Sequence, residues 1–375
     1  MNVFTIVLLV FAVAAFADKA VGMKTGLGDS IDTGMATMGP TTVAMLGSYT
    51  VGVAFINAHA ESVAALADVL PFDPSMIMGV TLAPETGGYS LASQMTDDSS
   101  ILMFNGVILA GLLGQLISFQ FPVFMAALDR ADHSIAIKGF IVGIVVIPIG
   151  FITAALMLRI SFADFAAEFI PVLLICLVLG LGMIKAQRRT VRIVGGFARL
   201  IQILIYLLLI IALAGIFIPS LAYAGDALVD NALRVILRCT IIVCGALTFS
   251  NLVIRIFRKQ LRAIATKIGV NEIAVIALVL NCINSLAILP LYRKMDEKGK
   301  LMNAAFSVSG AYFLGGQLGF VASSVDSGWY LTVYLVSKIL CGAVSLVIAA
   351  KMYPRLAREK TDGGQMIQTA AEEAA

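Results

Sequence analysis

Glu85 is the residue of this chain whose type and setting most directly suggest chemistry. It stands in Leu82-Ala-Pro-Glu-Thr-Gly-Gly-Tyr89, where Pro84 interrupts an apolar run that begins near Asp73. Thr86 adds a hydroxyl, and Gly87 and Gly88 leave the backbone open to close approach. Inside a bilayer, non-helical backbone is tolerated only where it is buried in protein or lines a polar cavity, and a carboxylate held there is costly. The functional reading is a counter-ion for a cationic solute. The blander one is an interfacial carboxylate at the mouth of a re-entrant loop.

A second interrupted stretch, Ser307 to Ser324, gathers Ser309, Gly315, Gly316, Gln317 and Gly319 on about three turns, with Tyr312 one turn earlier. Gly315 and Gly319 form a G-x-x-x-G, which also serves close helix packing. Gln317 can donate and accept, as a hydroxyl requires. Tyr89 and Tyr312 offer π faces to an ammonium, although aromatics in membrane helices commonly just pack. Asn281 and Asn284 lie in an otherwise apolar run; helix–helix hydrogen bonding is their ordinary role and solute contact the alternative.

The elements that position these residues are read from hydropathy. The 375 residues are 60% hydrophobic and only 13% charged, with a mean hydropathy of +0.97, which fits a polytopic membrane protein rather than a chain of soluble domains. Apolar segments fall at 2–17, 35–56, 75–95, 100–127, 138–158, 169–184, 200–218, 232–254, 271–290, 301–323 and 328–350. The first has a signal-peptide-like end at Ala15-Phe-Ala17 but no basic residues before it, so it reads better as a retained helix. Residues 1–356 form one transmembrane domain, and 357–375 a polar tail expected to be disordered.

Basic clusters at 185–199, 255–267, 291–300 and 351–360 mark the cytoplasmic side, and the acidic loops 57–74, 160–168 and 219–231 the outside. Parity then requires one re-entrant segment in each half. In the first half it is the broken 75–95; in the second, 271–290 and 301–323 remain alternatives. The expected fold is therefore an all-α polytopic membrane protein with about nine to eleven segments. Two of its helices are discontinuous or re-entrant. An inverted repeat would pair 35–56, 75–95 and 100–127 with 271–290, 301–323 and 328–350.

Several function classes find no support. H-E-x-x-H, G-x-S-x-G and Walker motifs are missing, so the chain does not read as an enzyme. Two isolated histidines and five cysteines buried in apolar runs suggest neither a metal site nor a cofactor. Nothing points to nucleic acid; the evident partners are the lipid bilayer and a small solute.

The residues also resemble a known family. Lys24-Thr-Gly-Leu-Gly-Asp-Ser-Ile31, Thr81-Leu-Ala-Pro-Glu-Thr-Gly-Gly88, Ile147-Pro-Ile-Gly150, Met295-Asp-Glu-Lys-Gly-Lys300 and Leu314-Gly-Gly-Gln-Leu-Gly-Phe320 are similar to stretches of the ethanolamine permeases of bacterial ethanolamine-utilisation operons. The resemblance runs in order over nearly the whole chain. It implies a permease of the bacterial cytoplasmic (inner) membrane that imports ethanolamine or a closely related small amine or amino alcohol. Glu85, Thr86, Gly87, Gly88, Tyr89, Asn284, Ser309, Tyr312, Gly315, Gly316 and Gln317 are then the expected substrate-binding residues. An alkylammonium titrates near a lysine, at about 10.4, and so arrives charged. The family pattern has Asp at the place of Glu85, Asp-His at that of Gly316-Gln317 and an Asn pair at that of Asn284-Ser285, which points to a divergent member. The alternatives are a permease for an amino acid or another small metabolite, where a cation facing the substrate carboxylate is expected, and a non-transporting scaffold or sensor.

Overall fold

The computed structural model describes residues 3–325 and 327–372, the side chains of 355–372 excepted. The polar tail expected over 357–375 lies among residues 355–375, outside the fully described part. Every element of the described residues is helical. Eight helices among them are long and apolar enough to cross a membrane: α1 Val3–Ala20, α2 Gly28–Ala58, α3 Ser99–Ala127, α4 Arg130–Leu158, α5 Phe162–Lys185, α6 Gln187–Phe217, α7 Asp226–Ile256 and α9 Gly328–Pro354. A ninth crossing, α8, is made in two pieces, Glu297–Ser309 and Gly316–Ser324.

Helix starts follow from local sequence. Asp98 accepts from the Ser100 and Ile101 amides at the start of α3. Ser161 caps α5, and Asp296 accepts from the Gly299 amide at the start of α8. Each satisfies a donor that the first turn leaves without an intrahelical partner. Packing between spans uses small residues: Gly139 and Gly143 of α4 lie so close to α8 that a Cβ on Gly143 would stand 2.7 Å from the Ala305 carbonyl.

Two hairpins enter the bundle without crossing it. The first goes in as Ser75–Thr81 and returns as Gly88–Ala92. Its inward limb starts beside Asn105, whose Nδ2 donates to Ser75 Oγ at 3.0 Å, and reaches the level of Gly114, which abuts the Leu82 carbonyl. The return limb retraces α3, with Gly88 against Ala110 and Tyr89 against Gly106. The segment 75–95 is thus re-entrant, as parity requires.

The second hairpin is Glu272–Asn281, a tip at 282–288, and Leu289–Tyr292. Its ends are tied together: Asn271 Nδ2 donates to the Lys294 carbonyl and the Asn271 amide to Asp296 Oδ1, both at 2.8 Å. This resolves the alternative left open by parity, because 271–290 re-enters while 301–323 crosses as a broken span. The correspondence between halves therefore shifts by one segment from the expected pairing. What the structure shows is that each re-entrant hairpin, 75–92 and 272–292, is followed along the chain by a span, α3 and α8 respectively. A hairpin break in the second half was concealed because Cys282-Ile-Asn284 contains neither Gly nor Pro.

The hairpins enter from opposite faces. The mouth of the first lies by the acidic loops, where the Asp73 amide donates to Glu168 Oε1 at 2.6 Å. That of the second lies by the basic loops, where Lys300 pairs with Asp132 at 2.7 Å and Arg293 with Asp129 at 3.4 Å. With the basic loops cytoplasmic, reporter fusions after Arg192, Lys259 and Lys298 should all read cytoplasmic, and those after Asp68 and Asp226 external. An external reading at Lys298 would mean that 271–292 crosses and that this threading is wrong.

Candidate functional site

The tips of both hairpins meet the break in α8 at mid-depth. Leaving helical geometry strands backbone polar groups, and each break finds partners inside the protein. The Thr86 and Gly88 amides donate to the Ala83 carbonyl at 3.1 and 3.0 Å. In α8, the Tyr312 amide donates to the Asn281 carbonyl at 3.2 Å and the Leu314 amide to the Cys282 carbonyl at 2.9 Å. Two residues in this region carry positive φ, Gly87 at 123° and Tyr312 at 67°. A bulky side chain in the left-handed region is uncommon and marks a conformation imposed by its surroundings.

A cavity of about 1220 Å³ leads to this junction. Its rim includes the exposed residues Thr33, Ala36, Ala126 and Arg199, which belong to the face bearing the basic loops. At its inner end stand Glu85, Thr86, Asn284, Tyr312 and Gly316, together with Cys239 of α7. The volume exceeds the ~300–1,000 Å³ usual for a closed ligand pocket, so the space is an open vestibule ending in a small polar site.

Beyond Glu85 the path is filled by a buried polar layer. Gln317 Nε2 donates to Gln115 Oε1 at 2.7 Å, and the Tyr334 hydroxyl donates to Gln317 Oε1 at 3.3 Å. Lys338 Nζ donates to the Gly111 carbonyl at 2.6 Å and to Gln115 Oε1 at 3.3 Å. Gln120 Oε1 accepts from Ser285 Oγ at 2.6 Å and from the Tyr312 hydroxyl at 3.0 Å, joining the second hairpin tip to α3 and α8. Gln115, Gln317, Tyr334 and Lys338 are each at most 1% exposed. Three buried atoms here have no hydrogen-bond partner in the protein: Glu85 Oε2, Gln115 Nε2 and Gln120 Nε2. Buried polar atoms are normally satisfied, and of these three residues Glu85 is the one that lines the cavity.

The residues expected from sequence divide into groups. Glu85, Thr86, Asn284, Tyr312 and Gly316 line the cavity. Gln317 lies behind them in the buried polar layer, bonded to Gln115. Gly87 and Gly88 shape the first tip and Gly315 the break in α8: a Cβ on Gly88 would stand 2.8 Å from the Ala83 carbonyl, and one on Gly315 would overlap the Ile283 carbonyl. Two lie apart from the cavity. Tyr89 stacks edge-on against Phe320 and donates to the Ser324 carbonyl at 3.4 Å. The Ser309 hydroxyl turns back to the Ala305 carbonyl of its own helix at 3.1 Å. Sequence reasoning passed over Lys338, Gln115, Gln120 and Tyr334. The signal was present for Lys338, a lone lysine in an apolar span, where an ionisable residue is a site candidate by default.

A helical bundle with two re-entrant hairpins whose tips meet a broken span among buried polar side chains defines a multi-pass membrane protein. Comparison with known sequences specifies it further. The chain belongs to the family of the ethanolamine utilisation protein EutH, whose profile matches residues 1–352. It is 26% identical over 357 residues to the probable ethanolamine permease EutH of Listeria monocytogenes, covering 94% of each chain. The Salmonella typhimurium protein of the same name is also 26% identical, over 92% of this chain and 89% of its own. Bacillus subtilis YxeR, named as an uncharacterised protein, is 26% identical over 92% of this chain and 94% of its own. No solved structure matches. The chain is thus a multi-pass bacterial membrane protein, and the names of its relatives support a permease role.

Adjacent glycines at the α8 break make a contrast that can be measured. Gly315→Ala should cost about 1–3 kcal/mol or more through overlap with Ile283 and yield little folded protein in detergent. Gly316→Ala, whose Cβ meets nothing within 4 Å, should fold and melt as the unsubstituted chain does. Equal stability of the two variants would contradict the clasp between α8 and the second hairpin.

Proposed function

We propose that the protein imports ethanolamine or a closely related small amine or amino alcohol across the bacterial cytoplasmic membrane, with Glu85 as counter-ion to the substrate ammonium. The observation that carries this reading is the Glu85 carboxylate at the inner end of the cavity, with Oε2 buried and unpartnered. An ammonium arriving there supplies both the missing donor and the missing charge. Thr86, Asn284 and Tyr312, beside it on the cavity wall, are within the chemistry of a small hydroxyl. The vestibule opens toward the basic loops, so the conformation is inward-open, and the buried polar layer beyond Glu85 closes the external side.

Lys338 favours a second reading, in which an amino acid presents its carboxylate to a lysine and its ammonium to Glu85. The geometry argues against it: Lys338 is absent from the cavity wall, and its donors are directed to Gly111 and Gln115.

Ethanolamine should bind the purified protein and be displaced by small primary amines, but not by a neutral diol of equal size or by amino acids. Glu85→Gln should weaken binding by a factor of hundreds or more, corresponding to the ~3–5 kcal/mol cost of leaving a buried charge unpaired. Glu85→Asp should retain part of the activity. Near-normal ethanolamine affinity in Glu85→Gln would place recognition of the charge elsewhere.

A further inference from the structure

We propose that Lys338 is the resident counter-ion of Glu85, a tethered ammonium that balances the carboxylate when the site is empty and, by competing with the substrate's charge, promotes release into the vestibule. This rests on the reading of Glu85 as the ammonium site. Lys338 lies ten residues into α9, about 15 Å below the membrane surface at 1.5 Å per residue, and is 1% exposed. An ammonium buried so deeply needs compensation in both dipole and charge. The Gly111 carbonyl and Gln115 Oε1 provide the dipoles from one face of α3, in a stretch that is π-helical from Met103 to Gly114; such departures from α geometry recur at functional sites. The carboxylate that shares this junction is Glu85, adjacent to Pro84, which meets Lys338 at Gly111.

The two groups are close without touching. Gly111 is where their elements converge: a Cβ built on it would lie 3.4 Å from Gln317 Oε1, 3.6 Å from Lys338 Cε and 3.7 Å from Pro84 Cγ. Yet the ion pairs of the described residues do not include Glu85 with Lys338. Glu85 Oε2 is therefore buried without a hydrogen-bond partner while its charge is balanced at a distance. With substrate absent the site carries one negative and one positive charge. With an ammonium bound it carries one surplus positive charge. That surplus weakens binding and speeds departure, and the balanced empty site can then rearrange to face outward. A lysine serving only as a clamp on α3 would have no such effect on the substrate's charge.

The test is Lys338→Met, which keeps length and removes charge. In purified protein, ethanolamine should bind about tenfold or more tightly. In proteoliposomes, exchange of internal for external ethanolamine should persist, while net uptake into empty vesicles falls about tenfold or more. Lys338→Arg should retain net uptake. Unchanged or weaker binding in Lys338→Met, or equal loss of exchange and net uptake, overturns the proposal. Failure of the unsubstituted protein to bind ethanolamine would instead overturn the substrate reading. A cycle of melting temperatures independent of substrate tests the pairing in that event. Glu85→Gln with Lys338→Met should be more stable than either single variant; additive losses, or a double variant that fails to fold as the singles do, refute it.

Discussion

The structure depends on one constraint: backbone that leaves helical geometry inside a membrane must find its hydrogen-bond partners within the protein. At the centre of this bundle the requirement is met by mutual support. The carbonyls of Asn281 and Cys282, freed where the second hairpin turns, accept from the amides of Tyr312 and Leu314, freed where α8 breaks. Gly315 permits this contact because a side chain there would displace Ile283. The two breaks satisfy each other's backbone groups, so the hairpin tip and the interrupted span form one unit. Gln120 extends that unit to α3 through Ser285 and Tyr312.

The electrostatics of the site follow from this arrangement. The first hairpin brings Glu85 to the same depth, at the wall of the vestibule. A carboxylate in such a place is held by charge and dipoles or it is not held at all. On the proposed reading the dipoles come from the glutamine layer, in which Gln115 accepts from both Gln317 and Lys338, and the opposing charge from Lys338. A substrate ammonium proposed to pair with Glu85 would compete only with a distant charge, since no direct ion pair joins Glu85 and Lys338 among the described residues. A site built on this principle can be charged, buried and weakly binding at once, which suits a solute that must leave as well as enter.

Much of this was legible in the sequence, and the remainder was hidden for identifiable reasons. Pro84 with Gly87–Gly88, and Gly315–Gly316, announce breaks because these residues interrupt helices by known means. The turn of the second hairpin at Cys282-Ile-Asn284 gives no such notice, since it is held by tertiary hydrogen bonds and by the Asn284 side chain accepting from the Leu286 amide. Charge parity demanded a re-entrant segment there but could not choose between neighbours. Tyr89 is expected at the site for its π face and Ser309 for its hydroxyl, whereas the side-chain direction at each position turns them toward Phe320 and Ala305. Gln115 and Lys338 belong to spans whose hydropathy is unbroken, so they were read as parts of clean helices. Intramembrane polarity, taken residue by residue, would have found them.

The central claim is that a substrate ammonium pairs with Glu85 at the end of the vestibule. Solid-state NMR on protein labelled with carbon-13 at glutamate Cδ, loaded with nitrogen-15 ethanolamine, measures that pairing directly. The account predicts one strong nitrogen–carboxylate coupling, at the roughly 3–4 Å carbon–nitrogen separation that a charge-assisted hydrogen bond implies, and its loss in Glu85→Gln. Bound ethanolamine with no coupling to any glutamate, or with a coupling that survives Glu85→Gln, would contradict it.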